Sequence, residues 1–264
     1  MKYKIKAVLC ANAGVSITTP NSRIWVDALH DQHEETFSDV TPEIWEAMKK
    51  HPDFRNPDVL VFTHLHGDHF SRRLLEEAMR IYPSARVILP ATRSMNTSAS
   101  EAGKMSPAPG KLSAEELFRQ FEIGEDSICC IRTLHEGRAF TDTVHEAVVL
   151  ESCGKRILLT GDMRIDESVA EGLVREYAGN TGAFEEDFLF DAVFAAFPWE
   201  TTTKGRKIMN SILRPRKLVL YHIPFEEDDL FGYREGVRKR LAAAEAEKTR
   251  RVEALMEKFS ETVF

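Results

Sequence analysis

Short apolar or alternating runs dominate the first two thirds of the chain. They are rich in Val, Ile, Leu and Phe and are bounded by Gly, Pro, Asn or Asp, which is the pattern of β-strands. We predict strands over residues 3–10, 15–17, 23–28, 59–63, 86–89, 128–133, 146–152 and 156–160, and further strands over 188–197 and 217–221. The sequence Cys-Gly-Lys at 153–155 predicts a hairpin turn between two of these strands.

Helical signals lie between the strands. Thr41 followed by Pro42 predicts a capped helix that runs to about residue 50, and Ser71 predicts a second helix that ends before Pro83. A capping box at 113–116 predicts a third helix that includes the apolar positions 117, 118 and 121. The segment 91–110 predicts a long loop, which is either a lid over a site or a surface excursion.

A long helical pattern covers residues 227–259, where apolar side chains recur mostly at intervals of three and four. It predicts a terminal helix packed on the body of the protein, with a dimer contact as the alternative. No internal repeat and no break in composition divides the chain. We therefore predict one domain, residues 1–264, of mixed strands and helices.

Composition and charge limit the class of protein and the kinds of binding partner that we expect. The 264 residues are 43% hydrophobic and carry a net charge of −7, which is typical of a globular chain. The acidic balance argues against general binding to nucleic acids or anionic membranes, because both require a basic face. No apolar run approaches the ~20 residues that cross a membrane. The four cysteines form no Cys-x-x-Cys pair, so we expect no disulfide framework or zinc–thiolate site and predict a reducing cytoplasm.

One strand end carries most of the candidate chemistry. The predicted strand 59–63 is followed by His64, His66, Asp68 and His69. Alternation places the first two His on one side of the strand end, and the glycine at 67 lets the chain turn so that the next two side chains face the same point. Imidazole nitrogens and carboxylate oxygens are ligands that suit Zn²⁺ and similar cations. The segment therefore predicts a metal site.

This His-x-His-x-Asp-His motif resembles that of the metallo-β-lactamase superfamily of metal-dependent hydrolases. Three other segments extend the resemblance over nearly the whole chain: the strand that ends at Asp27, the strand that ends in Gly161 and Asp162, and the apolar strand that ends at His222. The resemblance implies an α/β fold, a four-layer αββα sandwich that holds a metal centre at the strand ends between its two sheets.

The resemblance also implies a ligand set and a cofactor. The first metal is assigned His64 and His66, the second is assigned Asp68, His69 and His222, Asp162 bridges the two, and Asp27 supports the ligands from behind. The implied cofactor is two zinc ions, with manganese or iron as alternatives.

The first metal needs a third His. His135 follows a predicted strand and precedes the hairpin, at the place where the superfamily usually has this ligand. His145 is the rival, because it opens the hairpin and is nearer to Asp162 in sequence. We favour His135 and read His145 as a polar residue at a strand start.

The reaction follows from this site. Two cations that share one water lower its pKa from ~15.7 toward ~7, so that a metal-bridging hydroxide can attack a carbonyl carbon or a phosphorus. The sequence contains no Gly-x-Ser-x-Gly elbow and no Gly-rich phosphate loop with Lys. We predict a dinuclear zinc-dependent hydrolase of a small ester, lactone or phosphate-bearing substrate, with Asp68 as a catalytic residue and Arg164 as a substrate-binding residue.

The sequence motifs identify the substrate less precisely than they identify the metal site. The compact chain resembles the branch that includes L-ascorbate-6-phosphate lactonase, whereas Phe70 and the residues after it depart from the Gly-Gly common in glyoxalase II and many lactamases. A phosphodiesterase or nuclease of the ribonuclease Z type is the alternative function. A di-iron centre that reduces oxygen or nitric oxide is a further rival, although relatives of that type typically have Glu where this chain has His66. A non-catalytic binding module is the last rival.

Other polar residues are weaker candidates for the site. Arg138 and Lys204 are considered for anion binding, and His30 and His33 either line the mouth of the site or belong to a polar loop. The predicted partner is a small molecule, and bound cations would allow it to be anionic. A membrane is not expected, nucleic acid is not favoured, and a homo-oligomer is left open.

Overall fold

The computed structural model describes residues 4–31, 36–91, 117–182, 189–247 and 251–264. Within these ranges the strands are β1 (Lys6–Ala11), β2 (Gly14–Thr18), β3 (Arg23–Val26), β4 (Val59–Val61), β5 (Arg86–Ile88), β6 (Phe118–Ile123), β7 (Asp126–Thr133), β8 (His145–Ser152), β9 (Lys155–Leu159), β10 (Phe190–Ala196), β11 (Pro215–Tyr221), β12 (Arg251–Ala254) and β13 (Glu261–Val263). The α-helices are α1 (Pro42–Lys50), α2 (Arg72–Ile81), α3 (Glu167–Thr181), α4 (Pro198–Thr201), α5 (Thr203–Ile208) and α6 (Tyr233–Glu247).

The strands form two mixed sheets. The first sheet has the order β13-β1-β2-β3-β4-β5, and the second has the order β12-β11-β10-β9-β8-β7-β6. In each sheet an antiparallel part joins a parallel part: β3, β4 and β5 run parallel in the first sheet, and β9 to β12 run parallel in the second. Parallel strands end at one edge of a sheet, which is where the side chains that follow them are brought together.

Alternation along the strands of the second sheet produces two separate cores. Cys130 and Val148 face the first sheet and belong to the core between the sheets, whereas their neighbours Cys129 and Val149 belong to a second core. That second core also contains Leu173 of α3 and other helical side chains. The second sheet is therefore covered by helices on its outer face.

The outer face of the first sheet packs against α1 and against the end of α2. Trp25 of β3 contacts Trp45 of α1 edge-on, with ring centroids 6.4 Å apart, and contacts Tyr82 at the end of α2 at 5.8 Å. Together with the helices on the second sheet, this completes four layers. The predicted α/β class with a four-layer αββα sandwich is confirmed.

Local capping chemistry explains where the first two helices begin. The Thr41 hydroxyl accepts a hydrogen bond from the Ile44 amide, and the Ser71 hydroxyl accepts one from the Leu74 amide, so each side chain satisfies an amide that the first helical turn leaves free. Both helices begin where the sequence predicts. The hairpin prediction is also confirmed, because Cys153 and Gly154 have φ values of 52° and 74° between the antiparallel β8 and β9.

The helix predicted after the capping box is wrong over residues 118–123. These residues form β6, which pairs antiparallel with β7 and places Phe118 opposite Ile131. The helical spacing of positions 117, 118 and 121 is therefore overridden by hydrogen bonds to a neighbouring strand. The capping box at 113–116 and the loop at 92–110 lie outside the described residues.

The helix predicted over 227–259 is too long at both ends. The helix α6 covers Tyr233–Glu247, and the apolar residues near 252 belong to β12, which runs parallel to β11. Residues 261–263 form β13, which pairs with β1. Short apolar runs fit helical and strand spacing equally well, and pairing with a distant strand decided the outcome here. The helices α3, α4 and α5 were not predicted.

All four cysteines are free, and three of them are buried, in agreement with the expectation of no disulfide framework. None of the helices in the described part of the chain has the length and hydrophobicity that a membrane span requires.

Replacing Trp25 with Ala should destabilise the fold. The side chain is 1% exposed and fills the space between the first sheet and its helices, so we expect a loss of about 3–5 kcal/mol in the free energy of unfolding, measured by urea denaturation. Leu230→Ala is the control, since Leu230 is 72% exposed and its truncation should cost less than about 0.5 kcal/mol. Equal losses in the two variants would contradict this description of the core.

Candidate metal centre

The candidate site lies where strands of the two sheets end. In the first sheet, Asp27 follows β3, and the segment that begins with Thr63 and His64 follows β4. In the second sheet, Asp162 follows β9 and His222 follows β11. Because these strands are parallel members of their sheets, their carboxyl ends meet at one edge of the sandwich. Side chains far apart in sequence therefore converge on one point.

Seven His and Asp side chains near these strand ends form two groups with metal-ligand spacing. The ligand atoms of the first group, His64, His66 and His135, lie within 4.8 Å of one another, and so do those of the second group, Asp68, His69, Asp162 and His222. All seven were predicted as ligands, and the structure brings all seven together. Their role as ligands stays a prediction.

Asp162, a member of the second group, also lies close to the first group. Its Oδ2 atom lies 3.5 Å from His135 Nε2 and 3.9 Å from His64 Nε2. Its Oδ1 atom lies 3.4 Å from His69 Nε2 and 3.2 Å from His222 Nε2. One oxygen of the carboxylate therefore faces each group, which is the arrangement that a bridging ligand needs.

The spacing of the donor atoms fits a divalent cation in each group. Tetrahedral coordination with bonds of about 2.0–2.1 Å separates ligand atoms by about 3.3 Å. In the first group, His64 Nε2 and His135 Nε2 are 3.3 Å apart. In the second group, His222 Nε2 lies 3.0 Å from His69 Nε2 and 3.4 Å from Asp68 Oδ2. Nitrogen and carboxylate donors at these distances suit zinc, and they also suit manganese or iron.

Hydrogen bonds at the far nitrogen of each ring fix the orientation of the ligand atom. His135 Nδ1 lies 2.6 Å from the Glu136 carbonyl oxygen and can only donate to it, which leaves the lone pair on Nε2. His66 has its Nε2 atom 3.2 Å from the Thr143 hydroxyl, and donation from Nε2 to that hydroxyl would leave the lone pair on Nδ1. The ring of His64 has its Nδ1 atom 3.1 Å from the Thr63 hydroxyl.

Asp27 supports the second group from behind, as the resemblance implies. Its Oδ2 atom lies 2.9 Å from His69 Nδ1 and also accepts a hydrogen bond of 2.6 Å from the Thr63 hydroxyl. Its Oδ1 atom accepts a hydrogen bond of 2.8 Å from the Thr63 amide. A fully buried carboxylate with these partners holds the His69 ring in one orientation.

The site favours the protonation states that ligands need, with one exception. Burial, together with the neighbouring His69, lowers the pKa of His64 well below its ordinary value, so that ring is neutral. Burial would raise the pKa of Asp162, but His222 and His69 outweigh it and hold the pKa well below the usual range. Burial is likewise outweighed at His69, whose pKa is raised well above its ordinary value by Asp162 and two other carboxylates. The carboxylates of the second group therefore favour a positive charge at this position, which a bound cation would also supply.

The turn that carries Asp162 requires glycine at position 161. Gly161 has a φ of +49°, and a Cβ atom there would lie 2.7 Å from the Thr63 hydroxyl and 2.9 Å from His145 Nε2. Its amide donates a hydrogen bond of 3.0 Å to the Tyr221 hydroxyl. The backbone therefore approaches the ligand cluster more closely than any side chain would allow.

The structure distinguishes the two candidates for the third His of the first group. His135 lies within the group, whereas His145 is fully buried behind it. The Nδ1 atom of His145 lies 2.7 Å from the Thr133 hydroxyl, and its Nε2 atom has no hydrogen-bond partner among the described residues. The geometry thus favours His135, as the sequence does.

Asn12 is a site residue that the sequence analysis missed. Its carbonyl oxygen accepts a hydrogen bond of 3.0 Å from the His222 amide, and its side-chain amide donates one of 3.1 Å to the Asp68 carbonyl. It therefore ties together the backbones of two second-group residues that lie far apart in the chain. The signal available in the sequence is an Asn between two apolar runs, because Asn adopts the positive φ of 47° seen here more readily than most residues.

The sequence analysis considers three cations for substrate binding, and each has a different position in the structure. The Nε atom of Arg164 donates a hydrogen bond of 3.2 Å to the His135 carbonyl, so part of its guanidinium supports a predicted ligand. Lys204 pairs with Asp166 at 2.9 Å. Arg138 lies in an exposed turn. Substrate binding by these cations stays a prediction.

Two His in the loop after Asp27 were considered as residues at the mouth of the site, and the structure describes one of them. His30 is fully buried, and its two ring nitrogens lie 2.9 and 3.2 Å from the backbone carbonyls of Asp27 and Ser38. It therefore closes the loop and does not line the mouth of the site. His33 lies outside the described residues.

Replacing Gly161 with Ala should distort the ligand cluster. A positive φ costs an L-residue about 1–2 kcal/mol and overpacking adds about 1–3 kcal/mol, so we expect a loss of about 2–5 kcal/mol in unfolding free energy and reduced zinc binding. The matched control is Gly154→Ala, because Gly154 also has a positive φ but nothing lies within 4 Å of its Cβ position. Full zinc binding in Gly161→Ala, measured by mass spectrometry, would contradict the close approach.

Replacing His135 or His145 with Ala tests the first group directly. We expect His135→Ala to bind about one zinc ion fewer than the unmodified protein, because it removes one of the three candidate ligands of the first group. We expect His145→Ala to keep full loading. The assignment of His135 fails if its variant retains all of its zinc.

Comparison with known proteins supports the fold. No family model matches the chain, and no curated protein sequence does. Among solved structures, the chain is similar to a possible metal-dependent hydrolase from Veillonella parvula, with 15% identity, 98% of each chain covered and a TM-score of 0.61. It is similar to the metallo-β-lactamase fold protein YhfI from Bacillus subtilis, with 13% identity, 100% and 99% covered and a TM-score of 0.58.

A third similar structure has a different chemistry. CmlA from Streptomyces venezuelae, a diiron β-hydroxylase, shows 14% identity and a TM-score of 0.54, and the match covers 99% of this chain and 54% of that one. At these identities the similarity is one of fold. The chain therefore has the metallo-β-lactamase fold, with two groups of His and Asp side chains at its strand ends that can each hold a metal ion.

Proposed function

We propose that this protein is a metal-dependent hydrolase that cleaves a small ester, lactone or phosphate-bearing molecule. The observation that carries the proposal is the position of Asp162, whose two carboxylate oxygens each face one group of candidate ligands. A single cation would need only one of these groups. The presence of both, in a metallo-β-lactamase fold, favours a dinuclear centre.

Zinc is the metal that we propose for both groups. His64, His66 and His135 would hold one ion, Asp68, His69 and His222 would hold the other, and Asp162 would bridge them. When bound, two such cations lower the pKa of a water molecule and stabilise negative charge on a substrate oxygen. The fold similarity to a diiron protein makes metal content a necessary measurement, and iron without zinc in natively purified protein would replace this assignment.

The chain holds Asp68 in position and in its ionised form. The Asp68 backbone is held by Asn12, and its carboxylate lies 3.4 Å from His222 Nε2 in a pocket where the side chain is only 6% exposed. Although burial would raise the pKa of Asp68, His69 and His222 lower it below its ordinary range, so the carboxylate is ionised, which is the form that binds a cation. We therefore assign Asp68 the catalytic role, as the sequence analysis does.

A screen of zinc-loaded protein against lactones, carboxylic esters, thioesters, lactams and bis(p-nitrophenyl) phosphate tests the proposal. We expect turnover of an ester or lactone that chelation removes and zinc restores. Turnover of the phosphodiester ahead of all other classes would favour the nuclease alternative, and failure of every class would contradict a hydrolase.

The Asp68→Ala variant tests the catalytic assignment in the same assay. Loss of a proposed metal ligand should lower kcat by at least about 100-fold. Asp191→Ala is the matched control, because Asp191 lies near the start of β10 and accepts a hydrogen bond from the Arg156 amide, outside both groups. Unchanged kcat in Asp68→Ala would contradict the assignment.

A further inference from the structure

A cavity of about 270 Å³ opens beside the second ligand group. Asp162 and His222 form part of its wall, so whatever enters it lies directly against the proposed reaction centre. Engineered apolar cavities of about 150 Å³ already bind benzene, whereas sites for drug-sized ligands begin at about 300 Å³. The space is therefore sufficient for one ring or a short branched chain.

The wall of the cavity is mainly apolar and aromatic. Besides the two ligands, its lining includes Phe37, Ile165, Phe197, Trp199 and Tyr233. The rings of Phe197 and Tyr233 lie 4.7 Å apart, and Phe37 contacts the His222 ring edge-on at 4.3 Å. These side chains come from several separate segments of the chain. They form a surface that would bind apolar groups by excluding water.

The charge of the lining opposes an anionic ligand. No Lys or Arg is among the described residues that line the cavity, and its one charged side chain besides Asp162 is the acidic Glu136. The Glu136 carboxylate accepts hydrogen bonds from the amides of Gly137 and Ile165, which hold it in place. Arg164 lies outside the lining, with its Nε atom bonded to the His135 carbonyl. An anionic group deep in this space, away from the proposed cations, would lose its hydration without gaining a Lys or Arg partner from the wall.

We propose that this cavity binds an uncharged apolar group of the substrate, either a single aryl ring or an alkyl chain of similar volume, next to the bond that is cleaved. This inference rests on the proposed function and deepens it. It selects, among the ester, lactone and phosphate-bearing candidates, an ester or lactone with an apolar acyl part. Phe197 and Ile165 are then specificity residues, since they form the wall without being candidate ligands.

Binding without turnover tests the cavity independently of catalysis. The probe is phenylacetamide, with acetamide as the matched compound that lacks the ring, and saturation-transfer NMR measures the dissociation constant. We expect phenylacetamide to bind and acetamide not to bind, and we expect Phe197→Ala to weaken phenylacetamide binding at least tenfold. Phe118→Ala is the control, because Phe118 is also half-buried but lies on the edge strand β6 and does not line the cavity. Equal binding of the two amides, or equal effects of the two variants, would overturn the proposal.

Kinetics tests the same cavity during hydrolysis. We expect kcat/KM for p-nitrophenyl hexanoate to exceed that for the anionic mono-p-nitrophenyl succinate at least tenfold, and Ile165→Lys to reverse this preference. A preference for the succinate in the unmodified protein would overturn the proposal. If neither ester is hydrolysed while phenylacetamide binds as expected, the proposed function fails for these esters and the apolar cavity stands.

Discussion

The position of the Asp162 carboxylate is the constraint on which the rest of the site depends. Its two oxygens lie between two sets of imidazole nitrogens, so a displacement of the turn would separate both sets at once. The turn is fixed by Gly161, whose backbone lies against Thr63 and His145, and by the hydroxyl of Tyr221. Thr63 follows β4 of the first sheet, and Tyr221 is the last residue of β11 in the second sheet. Correct spacing of the two sheets is therefore a condition for correct spacing of the candidate ligands.

The same site concentrates unusual backbone conformations. Asp27, His222 and Asn12 all have positive φ values, of 50°, 56° and 47°, although none is glycine. Each such residue costs about 1–3 kcal/mol and persists when its surroundings determine it. Asp27 and His222 each follow a buried strand, and the positive φ turns the chain there, next to the ligand cluster. Packing between the sheets, far larger in extent than the site, offsets this local cost.

Sequence patterns predict this protein well where the relevant geometry is local. The strand before His64, the caps at Thr41 and Ser71 and the hairpin at 153–155 all depend on residues close together in the chain, and all are confirmed. The strand β6 was missed although its partner β7 follows it directly, because its apolar spacing also fits a helix. The strands β12 and β13 were missed because they pair with strands that lie far away in the chain. Asn12 was missed for the same reason, since its contacts to Asp68 and His222 join separate segments. The apolar cavity has no sequence signature, because its wall is assembled from several segments.

The pairing of β1 with β13 has a consequence for how the protein folds. Residues 6–8 lie beside residues 261–263 in the first sheet, while β12, only a few residues before β13, belongs to the second sheet. Closing a loop of this length is entropically unfavourable, and chains rich in such distant pairings fold slowly. Since the two ligand groups draw on both sheets, the ability to bind cations should arise late in folding. A partly folded chain would then hold the His-x-His-x-Asp-His segment without the partners that complete it, and the order of folding and metal capture would decide how much protein becomes active.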